Sequence, residues 1–318
     1  MKQSEESKSY HCPVCNSALN PGDVPYGIDD LFKLWAPIQF RSETIEEHRK
    51  QSEYTQMYLC PKCELTIYFP QIIGTANFYH DLLRAESQYF YSKEKWDFDV
   101  ALSDAQQCSS VIELGCGVGN FLENLEKLVP VVYGTEYNDT AIEIARSKGL
   151  IVFGKNHPGM EQLRGTFDAA FSFHVLEHVA DPVEFIKDMF AWVKPDGKVG
   201  ISVPNMDGPL KYINPCMSNM PPHHATRWKL QTFRVLAKQF GYKIERVAFE
   251  PLSSEYQSYY SLYWANHFLP GDSLLMKFIR LLINKFLNVG FHVLNFFGKN
   301  TIKLLKGQSI YILLSKNS

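Results

Sequence analysis

The chain has 318 residues, 45% hydrophobic and 14% aromatic, with a formal net charge of −2. That length suits one large domain or two smaller ones, and the composition excludes a disordered or collagen-like chain. The near-zero charge argues against a generic nucleic-acid binder, and seven cysteines, an odd number, against a fully paired secreted scaffold.

The polar start MKQSEESKSYHCPVC lacks an apolar signal core, and the chain has no run of about 18 uncharged apolar residues. Neither export nor a spanning helix is expected. The default expectation is a reducing, cytoplasmic setting, where cysteine pairs usually bind metal.

Residues 1–70 carry two matched C-P-x-C pairs, Cys12/Cys15 and Cys60/Cys63. Each pair presents two thiolates from one tight turn, and two such turns make a tetrahedral, closed S4 zinc site. The 44 residues between the pairs exceed the usual ribbon spacing, so an insertion between the knuckles is expected. His11 is a competing ligand, but four thiols suffice. Residues 71–106 mix aromatics and charges at helical spacing and read as a helical connector.

From residue 107 short apolar runs alternate with helical patterns. VIEL, VPVVYGTE, LIVFG, FDAAFSF and KVGISVPN read as strands, with helices after the first, second and fourth. Such alternation means a doubly wound α/β domain over 107–251 with a mostly parallel sheet. A helix is expected from about Thr226 to Phe240, then a strand in YKIERVAFE. A final strand falls in QSIYILLSK within 307–318, after a helical insert spanning 252–306.

The sharpest motif is VIELGCGVGNF. A buried strand runs into Gly115, Gly117 and Gly119, and a helix follows. Glycines there permit positive φ and close approach of a ligand, at the sheet edge where α/β folds bind ligands. The dinucleotide fingerprint needs a glycine where Asn120 stands, so this spacing departs from it. No Gly-Lys-Ser/Thr follows, which excludes a P-loop. Glu136 ends the second strand, 17 residues after Gly119, where a carboxylate can accept both hydroxyls of a ribose.

Together E-L-G-C-G-V-G-N-F, G-T-E-Y and F-D-A-A-F-S-F-H-V-L-E-H-V resemble the class I S-adenosylmethionine-dependent methyltransferases over roughly residues 107–250. The N-terminal cysteine pairs resemble a subgroup with a zinc ribbon before the catalytic domain. The resemblance implies a Rossmann-like seven-stranded sheet, S-adenosylmethionine as cofactor and a structural zinc on Cys12, Cys15, Cys60 and Cys63. It places Gly115, Cys116, Gly117 and Gly119 against the methionine part, Glu113 as orienter of loop and amino group, and Glu136 on the ribose. Tyr137 and Asn156 would border the adenine, Asn156 departing from the acidic residue often found there. Phe173 and His174 would close the pocket near the sulfonium, His174 also as a catalytic candidate. His178 reads as a residue that packs or caps the next helix. Cys116 carries no chemistry.

NPCMSNMPPHHATRW follows the fifth strand, where acceptor-binding elements of this fold gather. Methyl transfer is an in-line displacement that needs alignment and a proton acceptor. His223 or His224 is the expected base, the other positioning substrate, with Arg227 and Trp228 as candidate pocket lining. Residues 272–300 place Lys277, Arg280, Asn284, Asn288, His292, Asn295 and Lys299 on one polar stripe of an apolar helix. Such a helix packs on the domain, pairs in a homodimer or lies at the inner face of a membrane; Gly290 is a candidate break.

The expected function is methylation, by oxygen preference, of a small molecule or carbohydrate such as a nucleotide-linked sugar, without nucleic acid. A membrane-associated lipid or quinone methyltransferase and a non-catalytic binding protein are the alternatives.

Overall fold

A computed structural model describes residues 9–36, 38–90, 95–154, 157–212, 216–252, 257, 269, 271, 273–297 and 306–317. Seven strands form one sheet in the order β10-β11-β8-β7-β4-β5-β6. They are β4 (Ser110–Leu114), β5 (Val131–Thr135), β6 (Val152–Phe153), β7 (Phe167–Phe173), β8 (Val193–Pro204), β10 (Tyr242–Pro251) and β11 (Lys306–Lys316). The five from β4 to β8 pair in parallel, while β11 runs antiparallel to both neighbours, β8 and β10. This is the doubly wound sheet expected from the alternating pattern. Helices α5 (Asn120–Leu125), α6 (Asp139–Ser147) and α7 (Pro182–Trp192) connect its parallel strands. Two apolar cores result. One holds Ile112, Leu176, Ile186 and Trp228, the other Val111, Phe121, Phe171 and Phe173.

The N-terminal region is a second, four-stranded antiparallel sheet in the order β1-β2-β3-β9. β1 (Asn20–Gly27), β2 (Tyr54–Leu59) and β3 (Thr66–Phe69) surround the expected insertion, which is two helices, α1 (Ile28–Leu34) and α2 (Ser42–Gln51). The helical pattern of 71–106 resolves into α3 (Ala76–Phe90) and α4 (Trp96–Ala105).

The fourth strand of this sheet, β9, is Thr226–Arg227, which pairs with Ile67 and Thr66 of β3. A helix start was expected here. Instead the Glu177 carbonyl takes the N–H groups of Ala225 and Thr226, and helix α8 begins four residues later, spanning Leu230–Phe240. A Thr at an N-cap bonds the N–H groups ahead of it; Thr226 instead turns its hydroxyl to accept from Trp228 Nε1 at 2.9 Å. The helix start passes to Lys229 and Thr232, whose side-chain oxygen accepts the Lys229 N–H.

Helix α9 (Leu274–Phe297) runs unbroken through Gly290. Leu274, Phe278, Leu281, Phe286 and Val289 are exposed, while Arg280 and Asn284 of the polar stripe are half-buried. Lys277 of that stripe is exposed as well, and Met276, Ile279, Ile283 and Leu287 are half-buried, so the helix leaves several large apolar side chains in solvent without a clean inner and outer face. Among the described residues, no helix is long and apolar enough to cross a membrane.

Candidate functional site

The carboxyl ends of β4, β5 and β7 open into one cavity of about 1310 Å³ that reaches from the glycine turn to His223 and His224. Ligand pockets usually hold ~300–1,000 Å³, so this one has room for two molecules side by side.

The glycine turn forms one end. Gly115, Gly117 and Gly119 all have positive φ, between 53° and 80°. A Cβ on Gly115 would stand 2.5 Å from Val175 Cγ2, and one on Gly119 2.3 Å from Leu150 Cδ1. The turn is thus both left-handed and closely packed, two conditions only glycine meets cheaply. Glu136 locks it: its Oε2 accepts the Gly117 N–H at 2.8 Å, and its Oε1 accepts the N–H groups of Tyr137 and Asn138 at 2.6 and 2.9 Å. Cys116 is buried, packs where a Cβ of Gly134 would fall and has its thiol pushed up by burial, so it stays protonated and inert. Tyr137 is 76% exposed at the cavity rim. Asn156 lies outside the described residues.

Glu113, one residue before the end of β4, faces this cavity, 3% exposed, with no hydrogen-bond partner for Oε2 among the described residues. Burial raises its carboxyl well above the usual range. An orphaned buried carboxyl oxygen fits an incoming ammonium, which would restore its charge. The N–H groups of Gly117, Tyr137 and Asn138 take both lone pairs of Glu136 Oε1 and one of Oε2, which leaves Oε2 a lone pair for a ribose hydroxyl. With the glycine cradle, these residues fit S-adenosylmethionine: Glu113 for the amino group, Glu136 for the ribose and the Gly115–Gly119 backbone for the chain between them.

The far end of the cavity is built from three separated segments. Phe173, packed between Phe98 and Phe121, ends β7. His174 follows in the left-handed region, φ 54°, a conformation a non-glycine residue adopts only when its surroundings impose it. Its N–H bonds the Ser202 carbonyl, and its ring bridges two buried carboxylates, Nε2 to Asp97 at 3.2 Å and Nδ1 to Glu177 at 3.4 Å. Burial alone would lower the imidazole, but Asp97 and Glu177 outweigh it and raise His174 to about 9, so it is a cation near pH 7. Asp97 belongs to α4, in the connector, and nothing in WDFDV marks it in the sequence.

His223 and His224 are buried beside them, with rings 4.5 Å apart. Burial holds both well below the usual imidazole range, so both are neutral near pH 7. His178 joins them. Its ring lies 4.6 Å from that of His223 and 4.8 Å from that of His224, and its Nδ1 is 2.6 Å from the His223 carbonyl. The expectation that His178 only packs a helix is overtaken by this position in the cavity wall. Tyr79 of α3, unmarked in the sequence, reaches His178 Nδ1 with its hydroxyl at 3.2 Å. Trp228 is instead fully buried core, and Arg227 spends its Nε on the Asn219 carbonyl, so neither lines the cavity.

Away from the cavity, Cys12, Cys15, Cys60 and Cys63 bring their sulfurs within 4.8 Å of one another, with Cys12–Cys63 and Cys15–Cys60 at 3.4 Å. A tetrahedral Zn–S site of ~2.3 Å bonds spaces its sulfurs ~3.8 Å apart, so the four thiols fit a closed structural zinc. His11 is exposed, pairs with Ala18 and stands outside the cluster. Thr232 of α8 donates its hydroxyl to the Cys63 carbonyl at 2.9 Å, and Lys229 pairs with Glu64. The knuckle and the His223–His224 segment are thereby parts of one structure.

Residues 83–247, just over half of the chain, match the family model described as a methyltransferase domain. The ubiquinone biosynthesis O-methyltransferase of Vibrio campbellii is 33% identical over 104 residues, 30% of this chain and 43% of that protein. The mitochondrial enzyme of the same name from Schizosaccharomyces pombe is 29% identical over 125 residues, 36% of this chain and 46% of that one. The chain thus spans less than half the length of these curated relatives. Among solved structures, a SAM-dependent methyltransferase from Archaeoglobus fulgidus superposes with a TM-score of 0.47 at 18% identity, over 75% of this chain and 100% of that one. The glycine turn, the acidic strand end and the strand order meet in the region the family model covers, and the chain belongs to the methyltransferase-domain family, with the class I S-adenosylmethionine-dependent fold and an N-terminal four-cysteine cluster.

Proposed function

We propose that the protein is an S-adenosylmethionine-dependent methyltransferase acting on the hydroxyl of a small, apolar aromatic acceptor of the quinol type. The observation that carries this is the single cavity joining the cofactor residues to three histidines, two of them buried and neutral. The cofactor end carries two carboxyl groups, Glu113 for an ammonium that would recharge it and Glu136 for a ribose. In-line transfer needs the acceptor oxygen on the methyl's far side; a molecule between His174 and the His223–His224 pair lies there. His223 or His224 takes the hydroxyl proton as the oxygen attacks, and the other holds the acceptor. The cationic His174 suits the negative charge that builds on that oxygen.

The quinol class is favoured over the nucleotide-linked sugar by the names of the two curated relatives. Helix α9 agrees with it. Its exposed Leu and Phe residues, with Lys277, Arg280 and Lys285 and no acid, match the surface of an anionic bilayer, and this contact would put a cytoplasmic enzyme beside a lipid-soluble acceptor.

The test is methyl transfer from labelled S-adenosylmethionine to a panel of catechols, hydroquinones and nucleotide-linked sugars. Label in the phenolic products supports the reading; label only in sugars returns the acceptor to the carbohydrate class, and label in neither removes the activity.

A further inference from the structure

His178, His223 and His224 bring one ring nitrogen each to within 4.8 Å of one another, in the wall of the cavity and about a domain away in sequence from the cysteine cluster. Two of the three are already oriented as metal ligands are. A ligating histidine gives its other ring N–H to an oxygen, which fixes the tautomer and aims the remaining lone pair. His178 Nδ1 stands 2.6 Å from the His223 carbonyl and His224 Nδ1 3.0 Å from Asn219 Oδ1; both oxygens only accept, so both nitrogens donate and both Nε2 atoms carry the lone pair. Glu177 supplies the negative charge. Its carboxylate is 1% exposed; Oε1 stands 3.4 Å from His174 Nδ1 and 3.9 Å from His224 Nε2, so it faces the cationic ring and the histidine group together, and Oε2 has no hydrogen-bond partner among the described residues.

We propose that His178, His223 and His224 form a second metal site, for a divalent transition cation such as Zn²⁺ or Fe²⁺, with its fourth position open to the acceptor. Three imidazoles and one open position are the ligand set of a catalytic centre, whereas the four thiols make a closed one. The set is nitrogen throughout, which selects against Mg²⁺ and Ca²⁺. The cation's role rests on the acceptor reading above. An acceptor hydroxyl bound there loses its proton to water, its lone pair forms the O–CH3 bond, and the pair of the broken C–S bond returns to sulfur. In that form the histidines are ligands, and neither is the base.

Co²⁺ titration of chelator-stripped protein, without acceptor, tests the site apart from the acceptor reading. Thiolate-bound and imidazole-bound Co²⁺ differ in their absorption, since only the first shows sulfur-to-metal charge transfer. Two equivalents are expected, the second without the sulfur band. His178→Gln and His224→Gln should each weaken that second equivalent at least tenfold, while S-adenosylhomocysteine still binds within twofold and so reports an intact fold. A single, sulfur-bound equivalent in wild-type protein that binds S-adenosylhomocysteine overturns the proposal. So does a second equivalent unmoved in both variants. If the second equivalent behaves as expected but no phenol is methylated, the site stands and the acceptor class falls.

Discussion

The Glu177 carbonyl accepts the Ala225 N–H at 2.8 Å. This bond joins the turn after β7, which carries His174 and His178, to the segment that carries His223 and His224. Cofactor side and acceptor side therefore share one joint, although 45 residues separate His178 from His223.

Glu136 is the residue on which cofactor affinity turns. Its carboxylate ties Gly117 to the end of β5 and faces the cavity where the ribose would lie. Glu136→Ala should weaken S-adenosylhomocysteine binding more than tenfold, about 1.4 kcal/mol or more, because hydrogen bonds to a charged group are each worth ~1.5–3 kcal/mol. Calorimetric titration reads this directly, and unchanged affinity would remove Glu136 from the ribose.

His223→Ala and His224→Ala should each lower kcat by ~10²-fold or more, the scale of a lost general base or its equivalent, while S-adenosylmethionine affinity holds. Steady-state kinetics with separate cofactor titrations check the split. Normal turnover in both variants would take the pair out of the chemistry.

His174 predicts a pH dependence of stability. Its folded value is raised to about 9 from the usual 6.5 by Asp97 and Glu177, against the pull of burial. A raised value means the folded state holds the proton more tightly. The stabilisation is complete below about pH 6.5 and fades as the pH rises through 9. His174→Asn keeps a residue tolerant of positive φ and removes the charge. The Tm difference between wild type and this variant should shrink from pH 6 to pH 9.5; a difference that stays constant would mean the imidazole is not charged there.

Removal of the ribbon metal should reach the cavity. β9 pairs with β3, and Thr232 holds the Cys63 carbonyl, so the knuckle buttresses the segment just after His224. Cys60→Ser should lose the sulfur-bound zinc, lower Tm and raise amide exchange in residues 220–230, with exchange in β4 and β5 unchanged. Protection kept across 220–230 would make the ribbon an independent module.

Gly119→Ala should destabilise by ~1–2 kcal/mol, the cost of a left-handed non-glycine residue, and weaken cofactor binding with it. The φ of 80° and the buried Leu150 methyl, 2.3 Å from the added Cβ, both contribute to the cost. Thermal unfolding and cofactor titration of the same protein would show both losses; a stable variant that binds normally would free the turn of its glycine requirement.

Much of this was legible in the sequence because the relevant physics is local. Alternating apolar runs and helical patterns dictate the parallel strands; glycines at 115, 117 and 119 announce a left-handed turn; an acid at 136 ends its strand; paired cysteines announce a closed metal site. Each signal sits within a few residues of its partners. Thr226 shows the limit. Its local pattern suits a helix start, but a free edge of β3 and the Glu177 carbonyl claim its backbone, and long-range hydrogen bonds override the local preference. Asp97, Tyr79 and Glu177 were silent for the same reason: a carboxylate or phenol becomes functional only when folding buries it against a partner, and their long-range partners are 47 to 144 residues away. Composition and spacing determined the fold class, the cofactor turn and the four thiols. Only the tertiary structure decided which histidines meet, which carboxylates charge His174 and that Leu274, Phe278 and Phe286 of α9 stay in solvent, because burial and distance across the sheet are properties of the packed chain.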